Sequence, residues 1–162
     1  MNIEKIRNWF IKVPPKKEEP VLLTAAELRA HMAEVEAEHQ RALEAKQSKT
    51  RAAMDVFADE FLHQHLSPEE IADMRKKIHH AVDHGLFEVM VMRFPASLCT
   101  DHGRAINSAE EMWPETLTGK ARDLYEAWQE KARPAGYHLK AYIIDFPDGV
   151  PGDVGMFINW AA

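Results

Sequence analysis

The residues with the most chemical potential gather in one stretch: Arg93, Ser97, Cys99, Asp101, His102, Arg104 and Asn107. A second set, Asp145, Asp148 and Asp153, stands in a turn-rich segment near the C-terminus. A guanidinium presents a planar fork of donors, so Arg93 and Arg104 together can grip a carboxylate or a phosphate. The aspartates offer the same arginines an internal partner, which would close this region as a structural network instead. The candidate ligand-binding residues are therefore Arg93, Cys99, Asp101, His102, Arg104, Asn107 and Asp145. No catalytic residue is assigned. A Cys99–His102 nucleophile pair would need imidazole and thiol in contact, and a spacing of three in a loop does not enforce that. A lone cysteine beside Leu98 more often packs as a small apolar residue.

The histidines form the other cluster. His63 and His65 precede His79, His80 and His84, and the last two are four apart on one helix face, a metal-ligand spacing. No cysteine pair or full zinc pattern accompanies them, so a solvated helix face is the simpler reading, and neither metal nor cofactor is expected. The segment from Asp148-Gly149 to Gly152 lacks the lysine of a phosphate-binding loop and leads into a strand rather than a helix.

Positioning these groups is the work of the second half of the chain. Residues 86–94 alternate apolar side chains on both faces, as an interior strand does. Thr118 starts a helix with Ala121, Leu124, Tyr125, Trp128 and Ala132 on one face, stopped by Pro134-Ala135-Gly136. Tyr137–Phe146 reads as a second strand, 147–153 as a turn, and Val154–Trp160 as a third strand. A crossover helix makes the first two strands parallel, and the turn returns the third antiparallel to the second. The 95–117 loop and the 145–153 turn then leave one edge of the sheet, where open α/β sheets commonly bind ligands.

The first half is helical. Thr24 and Glu27 form a capping box before Leu28, and no Pro or Gly interrupts the chain to Gln64. Leu28, Met32 and Val35 start an apolar seam that His39, Lys46 and Lys49 interrupt and that Met54, Phe57, Phe61 and Leu62 restore. At 1.5 Å per residue a helix of about 40 residues is about 60 Å long, so it either breaks near 47–50 or extends beyond a compact domain. Ser67-Pro68-Glu69-Glu70 caps a second helix with Ile71, Met74, Ile78 and Val82 as its stripe, ended by Gly85. The expected fold is α+β: a helical N-terminal half packed on a small mixed three-stranded β-α-β-β sheet. The expected divisions are a tail over 1–23 with a short amphipathic helix at 3–13 and a Pro-rich linker, a helical segment over 24–66, and an α+β core over 67–162.

Composition narrows the function classes. The 162 residues carry a net charge of −6, and acids outnumber bases, 26 to 20, which disfavours a phosphate-binding face for nucleic acid. Cys99 is the only cysteine, so no intrachain disulfide forms, and a reducing cytoplasmic setting is expected. There is no apolar run long enough to span a membrane, and residues 3–13 are too broken by charge for a secretory signal. A peripheral contact of residues 3–13 with a membrane surface stays open. The favoured reading is a non-catalytic protein-interaction or adaptor protein that uses its N-terminal helix for a protein partner or for self-association. The alternative is a small-molecule binder or small enzyme with its site at the sheet edge.

Overall fold

The computed structural model describes residues 23–161; the helix expected at 3–13 and the linker at 14–20 lie outside them. Helix α1, Ala25–His63, starts at the capping box. The Thr24 N–H donates to Glu27 Oε2 at 2.7 Å, and the Glu27 N–H donates to Thr24 Oγ1 at 3.3 Å. The helix runs unbroken through 47–50, as a stretch without Pro or Gly allows. Contacts divide the chain into two units, Met1–Lys49 and Thr50–Ala162.

The described part of the first unit is Leu23, Thr24 and the α1 residues up to Lys49, and every residue of it is exposed. The second unit is a helix-and-sheet body. The Ser67 N–H donates to Glu70 Oε2 at 2.8 Å and Ser67 Oγ accepts from the Glu70 N–H at 3.1 Å, opening helix α2, Pro68–Asp83. Met74 and Ile78 are partly buried and Ala81 fully so, whereas Ile71 and Val82, expected in the stripe, are exposed. At about 100° per residue these two sit roughly 60–80° off the Met74 direction, on the shoulder of the packed face.

Strands β1 (Glu88–Pro95), β2 (His138–Ile143) and β3 (Asp153–Asn159) form one sheet in the order β1-β3-β2. Both pairings are antiparallel, so the sheet is not mixed. The third strand does return antiparallel to the second, but it then inserts between the other two. Composition explains the choice: the interior of β3, Val154 to Ile158, is uncharged, while β1 carries Glu88 and Arg93 and β2 carries His138 and Lys140, residues suited to edge strands. The first two strands still run in the same direction, so their C-terminal ends share one end of the sheet: Pro95 pairs with Asp153 and Ile143 with Val154. A register shift between Met90 and Met92 leaves Val91 as a bulge.

One face of the sheet is the core, with Val154, Met156 and Phe94 its largest fully buried side chains. Alternation turns Phe157 to the opposite face beside Tyr142, with ring centroids 5.7 Å apart. Of the α1 residues Met54, Phe57, Phe61 and Leu62 that restore the apolar seam, only Phe61 is buried, stacked on Phe94 at 4.9 Å, and the other three stay exposed. Helix α3 is the short turn Arg104–Asn107 and helix α4 spans Gly119–Ala127, continued by a π turn at Trp128–Ala132. Gly119 lies so close to the Phe61 backbone that a Cβ there would overlap the Phe61 carbonyl oxygen. Thr118 holds the cap position of α4, but its hydroxyl donates to the Leu98 carbonyl instead. Trp128 is half-buried, and its Nε1–H donates to the Tyr137 carbonyl at 2.9 Å.

Candidate functional site

At the shared end of β1 and β2, Arg93 projects from β1 onto the less covered face of the sheet. Its Nε donates to Asp153 Oδ2 at 2.7 Å and its Nη2 to Asp145 Oδ2 at 3.2 Å. The hydrogen bond and charge of Asp153, then the charge of Asp145, hold the guanidinium pKa above its ordinary value. Asp145 Oδ1 accepts from the Asp153 N–H at 2.6 Å, and a Cβ at Gly152 would overlap that same oxygen. This cluster ties the 144–152 connection onto β1 with its cation engaged by two carboxylates. A ligand anion here would have to displace one of them.

The other candidate residues are separated by the way the loop folds. Asp101 turns to its own backbone: Oδ1 accepts from the Gly103 N–H at 2.9 Å and Oδ2 from the Ala105 N–H at 2.6 Å, which fixes the start of α3. Gly103 takes a left-handed φ of 79° against Ala96, where a Cβ would come within 2.9 Å of the Ala96 Cβ. Cys99 is buried in the core, and burial first, then the charge of Asp101, pushes its thiol up to about 11, against a hydrogen bond with Thr116. At neutral pH it is a protonated thiol, which is not the nucleophilic form. His102, Arg104 and Asn107 are exposed, and their side chains make no hydrogen bond or ion pair among the described residues. Of the seven candidates, the structure joins Arg93 and Asp145 through a side-chain hydrogen bond and sets the charge of Asp101 near the Cys99 thiol.

The helical histidines behave separately. The His80 and His84 rings lie 4.1 Å apart, but His84 Nδ1 is 2.7 Å from the His80 carbonyl oxygen of its own helix. No group of three or more His, Cys, Asp or Glu able to hold a metal occurs among the described residues. His65 Nδ1 lies 2.9 Å from Asp123 Oδ2, which also accepts the Leu66 N–H at 3.1 Å, so Asp123 anchors the link between α1 and α2. Sequence reasoning missed this role, and also the Lys120–Glu70 pair at 2.7 Å and the Lys140–Glu88 pair at 3.0 Å. Each joins residues at least 50 positions apart, a separation at which a single sequence carries no pairing signal.

Besides a cleft of about 290 Å³ whose lining includes Phe61, Glu70, Lys77, Arg93 and Lys120, two neighbouring concave surfaces lie on the second unit. One, of about 270 Å³, is apolar and is floored by Val91 and Ile158 between α2 and α4, with Arg75 and Lys131 among its lining residues. The other, of about 550 Å³, is aromatic, with Trp113, Tyr125, Trp128 and Tyr137 along it. Trp128 and Tyr137 line both, so the two are neighbours.

The chain matches no protein-family model, no curated protein and no solved structure. The functional reading therefore stands on geometry alone. The most conspicuous surface is on α1, where Leu28, Met32, Val35 and Leu43 are 47%, 69%, 54% and 41% exposed. At about 100° per residue all four fall in an arc of roughly 80°, the width of a packing face. Among the described residues no helix is long and apolar enough to cross a membrane.

Proposed function

We propose that this protein is a non-catalytic interaction protein and that the first part of α1 is its docking element. The exposed stripe Leu28, Met32, Val35 and Leu43 carries the reading. Isolated exposed apolar residues are ordinary, but a row of them on one helix face marks a surface that another chain covers. The capping box at Thr24 supports the same reading, because it fixes the start of the helix ahead of Leu28. The engaged Arg93 and the protonated, buried Cys99 weigh against catalysis at the sheet edge. A reducing, cytoplasmic setting fits a chain whose only cysteine is a buried thiol.

The test is a photoreactive residue placed at Met32 and, as control, at Ala30 on the other side of the helix, in the full chain within cells. The proposal expects a protein adduct from position 32 and little from position 30. Equal labelling from both positions, or none from either, would contradict it.

A further inference from the structure

We infer that the chain covering the α1 stripe is a second copy of this protein, lying antiparallel about a two-fold axis at His39. The inference rests on the reading of that stripe as a docking surface and names its occupant. Two independent patterns in α1 carry it, one of spacing and one of charge.

The stripe follows Leu28, Met32, Val35, His39, Leu43, Lys46 and Thr50. Its steps are 4, 3, 4 and then 4, 3, 4, a palindrome centred on His39. An antiparallel two-fold pair needs that symmetry, because each residue then meets the one equally far on the other side of the axis. Val35 falls opposite Leu43 of the second copy, Met32 opposite Lys46, Leu28 opposite Thr50, and His39 opposite its own equivalent. The small pairs Ala25-Ala26 and Ala52-Ala53 fall opposite each other at the two ends. From Leu28 to Thr50 the six steps average about 3.67 residues, the period of helices that pair with a slight right-handed supercoil.

Charge is arranged oppositely on the two sides of the same centre. Residues 25–38 hold Glu27, Glu34, Glu36 and Glu38 against Arg29, a net −3. Residues 40–53 hold Arg41, Lys46, Lys49 and Arg51 against Glu44, a net +3. Antiparallel copies set −3 against +3 twice, whereas parallel copies set like on like, so charge selects the direction. Glu34 opposite Glu44 and Arg29 opposite Lys49 go against the pattern, and the polar seam positions cost apolar burial, so the pairing is weak. The four-carbon stem of Lys46 still gives Met32 an apolar neighbour while its ammonium reaches outward. The symmetric window ends at Ala53, before Phe57 and Phe61.

Thiol trapping in the full chain reads the register. His39→Cys should oxidise to a covalent dimer, because the axis brings residue 39 next to its own equivalent, within the about 4–7 Å Cα separation a disulfide needs. Val35→Cys should give no more dimer than the unaltered chain, whose Cys99 is buried, and Val35→Cys with Leu43→Cys should restore it. Val35→Cys linking as readily as His39→Cys, or no dimer from any variant, overturns the inference. Charge reversal gives a readout free of thiols. Replacing Glu27, Glu34, Glu36 and Glu38 by Lys, or Arg41, Lys49 and Arg51 by Glu, should each weaken association about tenfold, and mixing the two variants should restore it. A mixture no tighter than either variant overturns the pairing. A monomeric wild-type chain whose Met32 probe captures a different protein overturns the self-pairing and leaves the docking surface standing.

Discussion

Phe61 and Leu28 belong to the same helix, and both are large apolar residues in its seam, yet one is 3% exposed and the other 47%. The difference lies in what each end of α1 has to pack on. Around Phe61 the chain supplies the Phe94 ring and a glycine at 119 that lets the two backbones approach. Around Leu28, Met32 and Val35 the described residues supply no cover. A helical periodicity therefore reports which side chains want burial and says nothing about whose atoms will bury them. The same amphipathic pattern becomes core at one end of α1 and stays exposed at the other.

Mutations at the two ends separate these roles. Phe61→Ala should cost about 3–5 kcal/mol in unfolding free energy by denaturant titration, because it removes a buried ring and leaves a cavity against Phe94. A loss below about 1 kcal/mol would remove Phe61 from the core. Ser67→Ala should cost about 1 kcal/mol, through loss of the capping box that starts α2. Acid should act at the start of α1, where the Thr24 backbone and then its hydroxyl hold Glu27 below the ordinary carboxylate range, and on the second unit. Lys140, then Asn159, hold Glu88 below the ordinary carboxylate range. Burial pushes Glu70 up, but Lys120 and the Ser67 backbone outweigh it and leave it lowered as well. Both groups bind protons less tightly folded than unfolded, so stability present at neutral pH is lost as pH falls through their folded pKa values. Glu88→Gln should flatten that acid slope, and an unchanged slope would refute the assignment. The smallest effect belongs to the stripe: replacing Leu28, Met32 and Val35 together by Glu should move the monomer's stability by no more than about 0.5 kcal/mol while abolishing association. A loss of several kcal/mol would mean that the chain itself covers these residues.

Much of the fold was legible because its signals are local. The capping boxes at Thr24 and Ser67, the Gly85 stop and the apolar runs of the strands place their elements within a few residues of the structure. Strand order was not legible, since inserting β3 between β1 and β2 depends on contacts some 60 residues apart, such as Phe94 with Val154. The common end of β1 and β2 followed from their direction alone, and with it the meeting of Arg93 and Asp145. The rest of the proposed cluster dispersed because backbone groups compete for its side chains: Asp101 caps α3, and Cys99 follows the apolar loop into the core. A sequence names the donors and acceptors of a loop but not which backbone N–H will take them.

The most direct test of the α1 pairing is amide hydrogen exchange of the full chain at two protein concentrations well separated around the association range. Amides of residues 28–43 should become more protected as concentration rises, while those of the sheet and of α2 should not change. Protection of 28–43 that is the same at both concentrations would contradict it.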